Sequence, residues 1–113
     1  GAAEKMEDAL LRLERLPRVL ILRMKLVPAM DATALNALES MVERMQKAGG
    51  TVILSGTHRQ PLEVMMKAGF IERLGRKNIR AHFDQALERA AAILKEQDEA
   101  GHSADGTRHG KTA

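Results

Sequence analysis

The sequence predicts an α/β fold built on a small, mainly parallel sheet with helices packed on it, and three observations carry that prediction. Val19-Leu20-Ile21-Leu22 and Val52-Ile53-Leu54 are continuously apolar and not alternating, as strands covered by helices on both faces are. Between them, Leu35, Leu38, Val42 and Met45 recur at the spacings of one helical face. That helix closes on Gly49-Gly50, so strand, helix and strand form a crossover unit.

Each element has its own local reasons. Residues 2–13 read as a helix with Met6, Leu10 and Leu13 on one side, Glu4, Glu7 and Asp8 near its positive end, and Pro17 beyond its stop. The Val19 run reads as an interior parallel strand. Asp31 caps the helix over Ala32 to Ala48. Gly56 to Arg59 is a loop, Pro61 suits a first helical turn, and Leu62, Met65 and Met66 are apolar positions before Gly69 ends that helix. Phe70, Ile71 and Leu74 dock back on the core, and Ile79 to Phe83 is either a brief third strand or an extended connector. Asp84 caps a last helix to about Lys95, with Leu87, Ala91 and Leu94 as its buried stripe. Residues 98–113 carry no periodic apolar set and read as a disordered tail behind a domain over 1–97.

Composition narrows the function classes. The 113 residues, 44% apolar and 29% charged, supply one core and leave no room for a second domain. Cysteine is absent, so disulfides and thiolate metal sites have no ligands. A net charge of +3 with 2% aromatics and no Trp or Tyr provides neither the charge nor the stacking platforms that nucleic-acid binders use. No apolar run approaches the roughly 20 residues of a membrane span, so the chain reads as soluble. It opens on Gly1 directly inside a helical pattern, which leads us to expect a piece of a longer polypeptide.

Few residues point to chemistry. His58, His82, His102 and His109 are scattered, without metal-ligand spacing, and read as surface histidines. Ser55 has no G-x-S-x-G elbow around it, so no catalytic site is expected. Ser55-Gly56-Thr57 follows a strand and offers hydroxyls and a flexible backbone to a phosphate, yet it lacks the glycines and Lys of a P-loop, so a plain strand-to-helix turn is the favoured reading. Arg73, Arg76, Lys77 and Arg80 gather positive charge that suits an acidic partner, diluted by Glu72 and Asp84. The methionines sit at core spacings, with Met30 and Met66 the two that fringe an adaptable partner surface. Asp31 is fully explained as a cap, whereas Thr33 places a hydroxyl at the positive end of the helix, within reach of a kinase or an anion.

The order of helix, buried strand, V-P-A-M-D-A-T-A-L, long helix, G-G-T-V-I-L-S-G and Q-P-L-E-V-M-M-K-A-G-F resembles the STAS domain of bacterial anti-sigma factor antagonists and of SulP anion transporters, over about Gly1 to Ala90. The opening G-A-A-E-K and the R-Q-P-L segment followed by A-G-F look like the SulP branch. The resemblance implies a STAS fold in which one or two strands precede Gly1, and a loop of Met30, Asp31, Ala32, Thr33 and Leu35 that docks a partner. In free-standing antagonists the residue after the Asp is the phosphorylated serine; here it is Ala32, and Ala34 stands where glycine is usual.

The expected function is therefore a non-catalytic regulatory domain, without cofactor or metal, on the cytoplasmic side of the membrane beside the transmembrane domain of its own polypeptide. The transported ion would be sulfate, bicarbonate or a dicarboxylate. A free-standing antagonist switched near Thr33 is one alternative; a module that binds a nucleotide or acyl carrier protein is another. Without the preceding strands, a sheet edge is open to homodimer formation.

Overall fold

The central strand β2, Thr51–Ser55, is buried along nearly its whole length and takes a parallel neighbour on each side. This computed structural model describes residues 5, 8 and 16–112, with side chains through residue 101. Strand β1, Val19–Arg23, runs beside β2 in register from Val19 opposite Thr51 to Arg23 opposite Ser55. On the other side β3, Ile79–Arg80, pairs Ile79 with Leu54 and Arg80 with Ser55. The brief strand is thus the correct reading of the segment before Phe83. The helix expected over residues 2–13 lies, apart from the helical Lys5 and Asp8, outside the described residues.

Among the described residues β1 is an edge strand, not the interior strand the sequence predicts. A continuous apolar run reports that both faces are covered and carries no information about hydrogen-bonded edges, so the inference from burial to position failed.

Helix α1, Ala32–Lys47, follows from a cap at each end. Asp31 is extended and its Oδ1 accepts from the Ala34 amide at 2.8 Å. At the far end Gly49, at φ +83°, turns the chain so that its amide donates to the Gln46 carbonyl at 3.0 Å and that of Gly50 to the Met45 carbonyl at 2.8 Å. A side chain at Gly50 would crowd the Pro17 and Met45 carbonyls, with a Cβ at 3.1 and 3.2 Å. Between the caps Leu35, Leu38, Met41, Val42 and Met45 are buried, each contributing roughly 1.5–3 kcal/mol relative to exposure. On the outer face Lys47, hydrogen-bonded to Glu43 one turn back, holds that carboxyl below its usual range.

Helices α2, Arg59–Lys67, and α3, Phe70–Leu74, join α1 on one face of the sheet. Pro61 occupies the first turn of α2, where its missing N–H costs nothing. Gly69 at φ +71° separates the two helices and lets Phe70, Ile71 and Leu74 enter the core.

Helix α4, Phe83–Thr112, covers the opposite face, where Ala86 and Ile93, with the partly buried Ala90, meet Ile53, Val19 and Ile21. The buried stripe is one position off the expected one: Leu87 is 49% exposed, Ala91 is exposed and Leu94 is only partly covered. Both stripes have the same period. The rotation coincides with Arg89, whose Nε donates to Oδ1 of Asn78 at 3.0 Å, and with small alanines that let the helix approach the sheet. Asp84 is not the cap. The His82 carbonyl accepts the Ala86 amide at 3.1 Å, and Gln85 reaches back to the His82 amide at 3.3 Å, as the third helical residue of a capping box does. The backbone stays helical to Thr112, past the predicted stop near Lys95 and through the segment expected to be a tail. No proline interrupts it, and its glycines cost about 1 kcal/mol each against Ala without forcing a stop.

Candidate functional site

Two neighbouring features lie at the carboxyl ends of the parallel strands, where α/β sheets present ligand-binding surfaces. The first is the connection from β1 to α1. A single 3-10 turn, Met24–Leu26, leads from β1 into an extended stretch that ends at the Asp31 cap. Two side chains of the loop and helix after β2 hold this connection. Nε2 of His58 donates to the Lys25 carbonyl at 2.7 Å, which requires the ring proton on that nitrogen. The amide group of Gln60 satisfies both backbone groups of Met30: its Oε1 accepts from the Met30 N–H at 2.7 Å and its Nε2 donates to the Met30 carbonyl at 3.0 Å. The pairing imitates a short strand bridge and fixes Met30 and the cap that follows.

The expected docking loop therefore divides in two. Met30, at 4% exposure, and Leu35, at 8%, belong to the core and present nothing to a partner. Asp31, Ala32 and Thr33 are exposed. Met30 is swallowed because the Gln60 clamp turns it inward; Met66, the other methionine considered for a partner surface, is indeed 58% exposed. Thr33 stands in the first turn of α1, where Asp31 satisfies the Ala34 amide but those of Ala32 and Thr33 have no partner among the described residues.

The second feature is a cleft of about 290 Å³ lined by Arg23, Lys25, Ser55, Gly56 and the segment Ala81–Phe83. Ser55 and Gly56 of the expected phosphate contact are here, with Ser55 buried and Gly56 at φ +65° donating its amide to the Arg80 carbonyl at 3.0 Å. Thr57 does not line it; its hydroxyl is buried without a partner. Sequence reasoning missed Arg23, Lys25 and His82 because the first two lie almost sixty residues from the third. Only the strand register brings them together.

Half of the expected basic patch is neutralised. Arg73 pairs with Glu39 of α1 and lies 5.6 Å over the Phe70 ring, and Arg76 pairs with Glu72 at 2.6 Å. Lys77 is exposed without an ion pair to a described residue, and Arg80 keeps Nε buried and unpartnered. No group of three His, Asp or Glu side chains among the described residues is placed to hold a metal ion, and no described helix is long and apolar enough to cross a membrane.

Comparison with known proteins places this geometry. A family model for the STAS domain matches residues 1–86. The crystal structure of a sulfate transporter family protein from Wolinella succinogenes superposes with a TM-score of 0.77 at 36% identity, covering 84% of this chain and 78% of that one. The SulP transporter STAS domain from Vibrio cholerae gives a TM-score of 0.72 at 34% identity, covering 84% of this chain and 74% of that one. The Bacillus subtilis protein named "Putative sulfate transporter YvdB" is 29% identical over 86 residues, which are 75% of this chain and 16% of that protein. The chain thus spans about a sixth of that relative's length. With the parallel sheet, the capped helix after β1 and these matches together, the chain belongs to the STAS domain family, among the STAS domains of SulP sulfate transporters.

Proposed function

We propose that this chain is the non-catalytic regulatory domain of a SulP-type secondary anion transporter, held on the cytoplasmic side of the membrane and acting by docking against the transmembrane domain of its own polypeptide. The observation that carries this reading is the exposed Asp31-Ala32-Thr33 turn on an immobilised base: Gln60 fixes the backbone just before it, and the residue after the Asp cannot accept a phosphate. A turn so held suits a fixed contact better than a phosphorylation-driven exchange of partners. The match to 16% of a much longer relative supports a tethered module. On this reading residues 1–97 form the domain and 98–113 extend from it.

The test uses the full-length polypeptide reconstituted in lipid vesicles, with sulfate uptake as readout. Thr33→Arg should change the uptake rate severalfold, while Thr33→Ala should leave it near wild type. Equal uptake in both variants would remove the docking turn from the mechanism. A phosphate added to Thr33 by a cognate kinase, seen by intact mass, would instead favour the free-standing antagonist reading, in which added charge weakens a complex.

Two narrower partner readings rest on single observations. Lys77 and Arg80, with no ion pair to a described residue, suit an acidic carrier such as acyl carrier protein, whose binding would then weaken with salt. The outer edge of β1, open among the described residues, suits pairing with a second copy or with a preceding strand.

A further inference from the structure

The strand register aligns three residues that the sequence keeps far apart. Arg23 is opposite Ser55, and Ser55 is opposite Arg80, so Arg, Ser and Arg form one row across the carboxyl end of the sheet. Side chains alternate along a strand, and Val19, Ile21 and Ile53 face α4; two residues on, Arg23 and Ser55 face the same side, with Arg80 beside them. That side is where the first turn of α4 begins, at His82 and Phe83, and these residues line the same cleft. Lys25 completes the lining.

The charges of this row are uncompensated. Arg23, Lys25 and Arg80 form no ion pair with a described residue, although Arg18, Arg59, Arg73 and Arg76 all do. Arg80 buries its Nε without an acceptor. Ser55 is 3% exposed, lines the cleft, and its hydroxyl makes no hydrogen bond to a described side chain or backbone group. Asp84 in the first turn of α4 does not line the cleft, and its Oδ1 accepts from the Gln85 amide at 3.0 Å. To these donors the long helix α4 adds the partial positive charge of its N-terminus. The guanidinium of Arg23 lies 4.3 Å over the Phe83 ring, which holds it at the rim and occupies that face of the ring.

We infer that this cleft is a binding site for a small tetrahedral oxyanion of the sulfate or phosphate class, seated between Arg23, Lys25 and the Ser55 hydroxyl beneath the first turn of α4. Charge-assisted hydrogen bonds from two cations and the Ser55 hydroxyl match the several acceptor oxygens of a tetrahedral oxyanion. The volume of about 290 Å³ lies just below the ~300–1,000 Å³ range of pockets that bury drug-sized ligands, which fits a small ion with its remaining water. Such an ion would bridge β1, β2 and α4 and so couple its local concentration to the position of α4.

The test is a titration of the 113-residue chain by amide NMR at constant ionic strength, with sodium sulfate, sodium phosphate, AMP and sodium chloride as separate arms. Sulfate and phosphate should give saturable shifts at Gly56, Ala81, His82 and Phe83. The double variant Arg23→Gln, Lys25→Gln changes only exposed positions, so it should keep the native spectrum and lose about tenfold or more in affinity. Ser55→Ala should weaken binding by a smaller factor. AMP binding no tighter than phosphate supports the free ion; AMP binding more than about tenfold tighter would overturn it in favour of a nucleotide. Shifts that chloride reproduces, or that the double variant retains at full affinity, would also overturn the site.

Discussion

Replacing Gln60 by Ala removes both hydrogen bonds that hold Met30, at 2.7 and 3.0 Å. An ordinary intramolecular hydrogen bond contributes about 0.5–1.5 kcal/mol net, so the pair is worth roughly 1–3 kcal/mol. Two effects pull the figure toward the middle of that range. Gln60 is itself exposed, so water reaches part of the vacated space, and Ala gains a few tenths of a kcal/mol in helix propensity at this position in α2. Against them, Met30 is buried and its N–H would lose its acceptor. The expected loss is about 1.5–2 kcal/mol, read as a lower urea midpoint at unchanged slope. Gln60→Glu separates the two bonds: the carboxylate still accepts from the Met30 N–H but cannot donate to its carbonyl, so about half the effect or more should remain. Hydrogen exchange at the Met30 amide should accelerate in Gln60→Ala and stay slow in Gln60→Glu. A loss below about 0.5 kcal/mol, with Met30 protection unchanged, would refute the idea that Gln60 fixes the turn.

Asp31→Ala should cost about 1 kcal/mol in thermal or urea unfolding, with Asp31→Asn recovering most of it, since the cap needs an acceptor oxygen and not a charge. Ile93→Ala should cost about 2–4 kcal/mol while Leu87→Ala stays below about 1 kcal/mol; the reverse ranking in urea melts would restore the stripe the sequence predicts.

The elements whose signals are local were legible in the sequence. Asp31 and Gly49-Gly50 bracket α1 by the backbone groups they satisfy, and Pro61 and Gly69 delimit the short helix in the same way. Where two solutions share a period, sequence alone does not choose: the stripes of Ala86, Ala90 and Ile93 and of Leu87, Ala91 and Leu94 are equally helical, and the Arg89 to Asn78 bond belongs to only one rotation. Met30 and Leu35 looked like parts of a docking loop through their neighbours in sequence, but a side chain thirty residues away from Met30 turns it inward. The cleft was half legible. Ser55 and Gly56 sit at the end of a strand and attract notice, whereas Arg23 joins them only through strand register.

The two faces of the sheet differ in depth. One is covered by three helices and a cluster of fifteen buried residues, the other, among the described residues, by α4 through Ile53, Ala86 and Ile93. Alanines contribute little apolar area, so the free energy needed to lift α4 is a fraction of that needed to open the opposite layer. The described molecule thus pairs a deep layer with a shallow one, and amide exchange along α4 should be faster than along α1.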